Sequence, residues 1–140
     1  MIDYDKLQKS LKHLEQQFEN YQRSQERTEL LEIDREAVAE SVIHRFETCF
    51  DTLWKDLRRY LTEEFGLAEI PNSPRPVLKL AGQNNLFSAT VEQWLKYCDA
   101  RNSSAHDYSG DKAAETLLIV GDFIEDAIGL YQTMTKTTWE

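Results

Sequence analysis

The sequence predicts an all-α protein, an antiparallel up-and-down bundle of four to five helices. Two observations support this fold class. The 140 residues include only five glycines and three prolines, and so few turn-forming residues favour long helices over a turn-rich β fold. Apolar residues also recur at spacings of three and four through most of the chain, as they do on one face of a helix. Because 140 residues can form their own core, we expect a single domain over residues 1–140.

The first two predicted helices are long. Helix 1 is expected over residues 3–24, and its narrow apolar seam indicates packing mainly against one neighbour. A connection with some burial follows, up to Asp34. Helix 2 is expected over residues 34–65 and ends at Gly66, a residue suited to the left-handed conformation after a helix. The apolar face of helix 2 is broad, which predicts packing against two or more helices.

Helices 3 and 4 are predicted from their start signals. Ser73 as the N-cap and Pro74 at the first helical position predict a short helix 3 that ends at Gly82. Thr90 followed by Gln93 predicts a capping box at the start of helix 4. Helix 4 leads directly into the most polar motif of the chain.

Helix 5 is expected over residues 112–133, and residues 134–140, which include Trp139, are expected to form a frayed tail. Gly121 falls on the apolar face of helix 5, where a glycine costs about 1 kcal/mol relative to alanine. We therefore expect a close helix crossing at Gly121. The residues predicted to be buried on this helix are Ala114, Leu117, Leu118, Gly121, Ile124, Ile128 and Tyr131.

The net charge and the cysteine content limit the ligands and the cellular compartment expected for this protein. The formal net charge of −9 argues against indiscriminate nucleic-acid binding, because a general polyanion binder needs a basic field. Any RNA site must therefore be local. Cys49 and Cys98 lie on apolar stripes and are predicted to be buried, reduced thiols, which fits a reducing cytoplasm.

We expect a cytoplasmic protein without a membrane segment or a metal site. No run approaches the 18 apolar residues of a membrane span, and the N-terminus lacks the charge-then-apolar order of a signal peptide. His13 and His44 lie off the apolar lines of their helices, and neither has a second ligand at metal spacing.

The segment from Arg101 to Tyr108 is the best candidate for phosphate chemistry. The apolar line through Trp94 and Cys98 continues to Asn102 and His106, so a polar pair occupies positions where core residues are expected. An unpaired buried amide or imidazole costs about 1–3 kcal/mol. These side chains are therefore either bonded internally, in a helix crossing, or line a crevice.

The arginine and the histidine of this segment each suit a role in the cleavage or transfer of a phosphate group. The guanidinium of Arg101 can hold two phosphate oxygens while charge builds in a transition state. The imidazole of His106 can take a proton from a ribose hydroxyl near neutral pH.

The chain resembles the HEPN superfamily, in particular the branch that contains HepT toxins and nucleotidyltransferase substrate-binding proteins. The similarity spans most of the chain and is carried by residues 45–55, residues 73–75 with the helix that follows, and the pattern Arg-x4-His-x-Tyr at Arg101, His106 and Tyr108. The resemblance implies a helical bundle that forms a homodimer, with the motifs of two protomers facing one cleft.

The resemblance also implies a function. Toxin members of type VII toxin-antitoxin modules are metal-independent endoribonucleases that need no cofactor, and tRNA is a candidate substrate here. A minimal nucleotidyltransferase antitoxin neutralises the toxin by transferring AMP to the motif tyrosine. In this reading Arg101 and His106 are the catalytic pair, Asn102 is a supporting polar group and Tyr108 is the modified residue.

Two other functions remain open from the sequence. The chain could be a non-catalytic subunit that presents a substrate to a separate nucleotidyltransferase, with the cleft holding a nucleotide or phosphate, and the acidic balance favours this alternative. It could also be a helical dimerisation module in which Asn102 and His106 only set the helix register.

Overall fold

The computed structural model describes residues 2–104 and 110–140, and within them it contains five α-helices and no strand. The helices are α1 (Asp5–Ser24), α2 (Glu32–Glu63), α3 (Pro74–Gln83), α4 (Val91–Ser104) and α5 (Gly110–Thr135). The predicted all-α helical bundle is confirmed, and the helix boundaries lie close to the predicted ones.

The long helix α2 is the centre of the bundle and packs against each of the other four helices. A buried aromatic cluster joins α2 to α4 and α5. The ring of Phe123 lies edge-on at 5.0 Å from Phe46 and at 5.3 Å from Tyr97, and the Trp94 ring is 6.1 Å away. These separations are typical of favourable aromatic pairs. The cluster thereby fixes the position of α4 against α2.

The predicted helix ends are mostly found, with some differences in their bonding. Gly66 follows α2 with a φ of +65°, the left-handed conformation that ends a helix. The backbone N–H of Gln93 donates to the Thr90 hydroxyl over 3.2 Å, but the Gln93 side chain donates to the Tyr97 hydroxyl at 3.1 Å instead of completing a capping box. Ser73 occupies the N-cap position of α3 without a capping hydrogen bond from its side chain.

The buried face of α5 differs from the predicted one. Leu118, predicted to be buried, has 82% of its surface exposed, and Ala114 is also exposed. Ile124 and Tyr131 are buried as predicted. The helix carries apolar residues on more than one line, so residue spacing alone does not select the face that packs. The buried line runs through Ala113, Thr116, Val120, Phe123, Ala127, Leu130 and Met134.

The close helix crossing predicted at Gly121 is found. A Cβ atom at this position would lie 3.3 Å from Cε2 of Phe18, so the absence of a side chain lets the Phe18 ring of α1 approach α5 closely.

The connection from α1 to α2 is more exposed than predicted. Leu31 has 67% of its surface exposed, and Ile33, which the structure places in the first turn of α2, has 66% exposed. The connection is held by polar contacts instead, since the Arg35 guanidinium donates to the backbone carbonyls of Ser24, at 3.1 Å, and of Arg27.

The C-terminal segment, where the sequence predicts a frayed tail, contacts the bundle through Trp139. The indole ring lies edge-on at 5.1 Å from Tyr131, and the ammonium of Lys12 lies 4.7 Å above the indole. The backbone N–H of Trp139 also donates to the Gln132 side chain over 2.9 Å.

Burial of weak acids makes the fold sensitive to alkaline pH. Burial raises the pKa of the Cys49 thiol to about 12, and burial together with the negative charge of Asp56 raises the pKa of Tyr4 to about 12. The pKa of Tyr97 is also raised, by burial and by its hydrogen bond to Asp126. Each of these groups keeps its proton in the folded chain at a pH where the unfolded chain has lost it.

We therefore expect the free energy of unfolding to fall as the pH rises from about 9 to about 12, because the unfolded state binds fewer protons than the folded state in this range. The Cys49 thiol contributes at most about 1.4 kcal/mol per pH unit. Urea denaturation at pH 8, 9, 10 and 11 measures the slope, and Cys49→Ala and Tyr4→Phe should each flatten it. A free energy of unfolding that is constant or rises over this range would contradict the assignment.

Candidate functional site

An open cavity of about 380 Å³ lies where α2 crosses α4 beside the start of α3. Its walls come from two turns of α2, from the first residue of α3 and from the last turn of α4. The residues that line it are Phe50, Asp51, Trp54, Lys55, Pro74, Arg101 and Asn102. The cavity thus contains two of the four residues singled out from the sequence, Arg101 and Asn102.

Two carboxylates of α2 orient Arg101. Its Nε donates to Oδ1 of Asp51 and its Nη2 donates to Oδ2, both over 3.0 Å, and its Nη1 donates to Oε2 of Glu47 at 3.4 Å. A quarter of the Arg101 side chain is exposed, whereas Glu47 is almost fully buried. The paired bonds to Asp51 fix the plane of the guanidinium. The guanidinium in turn offsets the cost of burying the Glu47 charge.

The structure corrects the predicted orientation of Asn102. The sequence predicts Asn102 on the core-facing line of helix 4, but its side chain is exposed, and Arg101 is the residue that packs against α2 with a quarter of its side chain exposed. Trp94, Tyr97 and Cys98 are all fully buried, so both lines of α4 pack up to this point. In the last turn the packed face continues from Tyr97 to Arg101, which donates to the Asp51 and Glu47 carboxylates of α2, and Asn102 lies outside it.

His106 and Tyr108 lie outside the described residues. Arg101 and Asn102 stand on the last turn of α4, and His106 and Tyr108 follow shortly after that turn in the sequence. The predicted roles of all four residues stay predictions.

Residue spacing alone missed the acidic partners of Arg101. Glu47 and Asp51 are four residues apart on α2, so they share one face of the helix. The available signal was that both carboxylates lie next to the apolar residues Phe46 and Phe50 on the central helix. A buried carboxylate such as that of Glu47 needs a cation, and the sequence did not indicate which cation it would meet.

An aromatic residue and a lysine complete the cavity wall. The indole of Trp54 has only 8% of its surface exposed, and the exposed Lys55 places its ammonium 5.8 Å from the indole centroid. This separation lies within reach of a weak cation–π attraction. The site therefore combines a fixed guanidinium, an exposed amide, an exposed ammonium and an apolar wall.

The cysteine near the cavity is not a nucleophile at neutral pH. Cys98 is buried, as is Cys49, and both are free thiols as predicted. Burial raises the pKa of Cys98 despite the opposing effect of the Arg75 charge. The thiolate form needed for attack is therefore scarce near pH 7.

Within residues 2–104 and 110–140, no three histidine, cysteine, aspartate or glutamate side chains are grouped as metal ligands would be. In the same part of the chain, no helix combines the length and the apolar character needed to cross a bilayer.

The sequence model of one protein family, described as nucleotidyltransferase substrate binding protein like, matches residues 2–136. The chain belongs to this family. No curated protein matches the sequence significantly. The predicted resemblance to the branch associated with nucleotidyltransferases is therefore supported, while its toxin branch stays a prediction.

Two solved structures are similar to this member of the substrate-binding family. The first is HI0074 of Haemophilus influenzae, whose structure is described as revealing the fold of a substrate-binding domain of a nucleotidyltransferase. It matches with a TM-score of 0.80 at 19% identity, over 95% of this chain and 99% of that one. The protein ttk003001694 of Thermus thermophilus matches with a TM-score of 0.66 at 22% identity, over 86% of this chain and 98% of that one. At these identities the similarity establishes the fold alone.

Proposed function

We propose that this chain is the substrate-binding subunit of a two-component nucleotidyltransferase, and that its substrate binds in the cavity between α2 and α4. The catalytic partner is a separate minimal nucleotidyltransferase. The observation that carries the proposal is that one open cavity is lined by Arg101, Asn102, Lys55 and the indole of Trp54. Membership of the substrate-binding family supports the same function.

The cavity suits a ligand that carries both a phosphate and an apolar or aromatic part. Because Asp51 already orients Arg101, the guanidinium can meet a ligand with little further loss of side-chain entropy. The Asn102 amide offers both donors and an acceptor, and Lys55 adds a point charge. The volume of about 380 Å³ falls within the range of about 300–1,000 Å³ common for small-molecule sites.

The charges around the cavity favour a small substrate over a long RNA. Arg101 is balanced by two carboxylates, and the nearby Arg75 forms an ion pair with Asp99 at 2.6 Å. Binding of a long polyanion relies on several cations that neutralise successive phosphates. A chain with a net charge of −9 has no general attraction for RNA.

A second candidate is the toxin function, a metal-independent ribonuclease that acts as a homodimer. The observation in its favour is that Arg101 and Asn102 reach the cavity from the last turn of α4, just before His106 and Tyr108 in the sequence. His106 would take the proton of a ribose 2′-OH. Neutralisation would join the Tyr108 phenol oxygen to the α-phosphorus of ATP, with release of pyrophosphate and of the phenol proton.

Binding and cleavage assays on the purified chain test the leading proposal. With AMP as the probe, we expect a shift of the Trp54 indole N–H resonance, and we expect Asn102→Ala to weaken AMP binding about tenfold, since a polar contact to a charged ligand is lost. The matched control Lys136→Gln changes an exposed residue remote in sequence from the cavity and should bind AMP normally. No AMP-dependent shift at Trp54 would contradict the proposal.

The same preparation separates the two candidates. We expect total RNA and tRNA to remain intact after incubation with the chain. RNA cleavage that disappears in His106→Ala, together with an AMP adduct that disappears in Tyr108→Phe when the partner and ATP are present, would replace the leading proposal with the toxin function.

A further inference from the structure

We infer that the groove between α1 and α2 is a separate binding site for a small phosphate-bearing anion. The groove encloses about 240 Å³ and lies between the first turns of α1 and the middle of α2. The residues that line it are Lys6, Ser10, His13, His44, Arg45, Thr48 and Thr52. We call this surface the α1–α2 groove.

The first supporting observation is a local excess of positive charge on an acidic protein. Two permanent cations and two imidazoles line the α1–α2 groove, and its described lining includes no carboxylate. The net charge of the whole chain is −9. A surface of this acidic chain would on average carry more carboxylates than cations. The α1–α2 groove has the opposite composition, which favours an anion.

The second observation is that no carboxylate of the described chain lies within ion-pair distance of these groups, although the charge of Lys6 acts on Asp56 in the adjoining cavity. Among residues 2–104 and 110–140, no ion pair includes Lys6, His13, His44 or Arg45, whereas ion pairs engage five other arginines: Arg23, Arg27, Arg59, Arg75 and Arg101. Cations placed close together repel one another unless an anion joins them. A bound anion would relieve that repulsion.

The chemistry of the lining selects the ligand class. The Thr48 hydroxyl donates to the His44 carbonyl over 3.1 Å and the Thr52 hydroxyl donates to the Thr48 carbonyl over 3.0 Å, so recognition falls to the charged groups. A metal cation would be repelled by Lys6 and Arg45 and would find only two imidazoles. An apolar ligand would find no large apolar side chain in the lining. A phosphate matches the Arg45 fork and the Lys6 ammonium.

The volume and the neighbouring charges limit the size of the ligand. The groove is smaller than the roughly 300 Å³ at which pockets for drug-sized ligands begin. It adjoins a second cavity that shares Lys6, Thr48 and Thr52 and is also lined by Asp3, Asp51, Lys55, Asp56 and Arg59. Three carboxylates balance three cations there, so the excess of positive charge is confined to the α1–α2 groove. The groove therefore fits one phosphate, one pyrophosphate or the phosphate end of a larger ligand.

Nuclear magnetic resonance titrations of the whole chain with inorganic phosphate, pyrophosphate and ATP test the inference. We expect the imidazole resonances of His13 and His44 to shift and saturate. The double variant K6Q/R45Q should raise the dissociation constant about tenfold or more, because charge-assisted contacts are lost. The control K9Q/K136Q removes the same charge from two exposed positions outside the groove and should change the constant less than about twofold.

Two outcomes would overturn the inference, and two others would identify the ligand. Equal weakening in K6Q/R45Q and K9Q/K136Q would show attraction to net charge alone and would overturn it, as would titrations without saturable shifts at the two histidines. Tighter binding of pyrophosphate or ATP than of phosphate would identify a polyphosphate ligand, and equal binding a single phosphate. The readouts separate this site from the proposed function, because shifts at His13 and His44 report the α1–α2 groove and a shift at the Trp54 indole reports the α2–α4 cavity.

Discussion

Replacing Arg101 with methionine is expected to lower the free energy of unfolding by about 2–4 kcal/mol, because the substitution leaves two carboxylates without their cation. Breaking a buried ion pair by removing one partner costs about 3–5 kcal/mol. The estimate here is lower since a quarter of the Arg101 side chain and more than a third of Asp51 are exposed. For a domain of this size the melting temperature should fall by about 5–15 °C, measurable by circular dichroism.

A compensating substitution tests the cause of this loss. In the double variant E47Q/R101M the more buried of the two carboxylates that bind Arg101 is replaced by a neutral amide, so we expect about half of the lost stability to return. Arg101→Lys should fall between wild type and Arg101→Met, because an ammonium cannot form the paired bonds to Asp51. Wild-type stability in Arg101→Met would contradict the structural role assigned to Arg101.

The same double variant separates stability from function. If E47Q/R101M keeps its helices, it should nevertheless fail to shift the Trp54 indole resonance on addition of AMP, because the guanidinium that faces the cavity is absent. Normal AMP binding by a folded E47Q/R101M chain would exclude Arg101 from the substrate site.

Replacing Phe123 with alanine is expected to cost about 3–5 kcal/mol of stability, since the substitution removes a fully buried ring from the centre of the core. The ring touches Phe46 of α2 and Tyr97 of α4. Its removal therefore leaves a cavity where α2, α4 and α5 meet and weakens the packing of all three helices. Urea denaturation measures the change in the free energy of unfolding. We expect the Trp54 response to AMP to weaken as well, because α4 carries Arg101 and Asn102.

Two further substitutions serve as controls for Phe123→Ala. Phe123→Leu retains most of the apolar volume and should cost less than Phe123→Ala. Leu118→Ala, on the same helix, removes a side chain that is 82% exposed and should change stability by no more than about 0.5 kcal/mol. If Leu118→Ala were the more damaging change, the face of α5 predicted from residue spacing would be the packed one after all, and the observed packing would be wrong.

The helices themselves could be predicted because their signals are local. The repeat of apolar residues and the residues at the helix ends, such as Pro74, Thr90 and Gly66, act through the backbone of a few neighbouring residues. The motif at the end of α4 was likewise visible as a cluster of polar residue types. These features required no knowledge of how one helix meets another.

The orientation of the helices and the pairing of Arg101 depend on contacts between distant segments. Asp51 and Arg101 are 50 residues apart, and nothing in the spacing of either segment indicates that they meet. The packing of α4 against α2 places Arg101 at Asp51 and Glu47, and the packing of α5 leaves Leu118 exposed. A helix with several apolar lines can bury any one of them, and the choice is made by the helices packed around it.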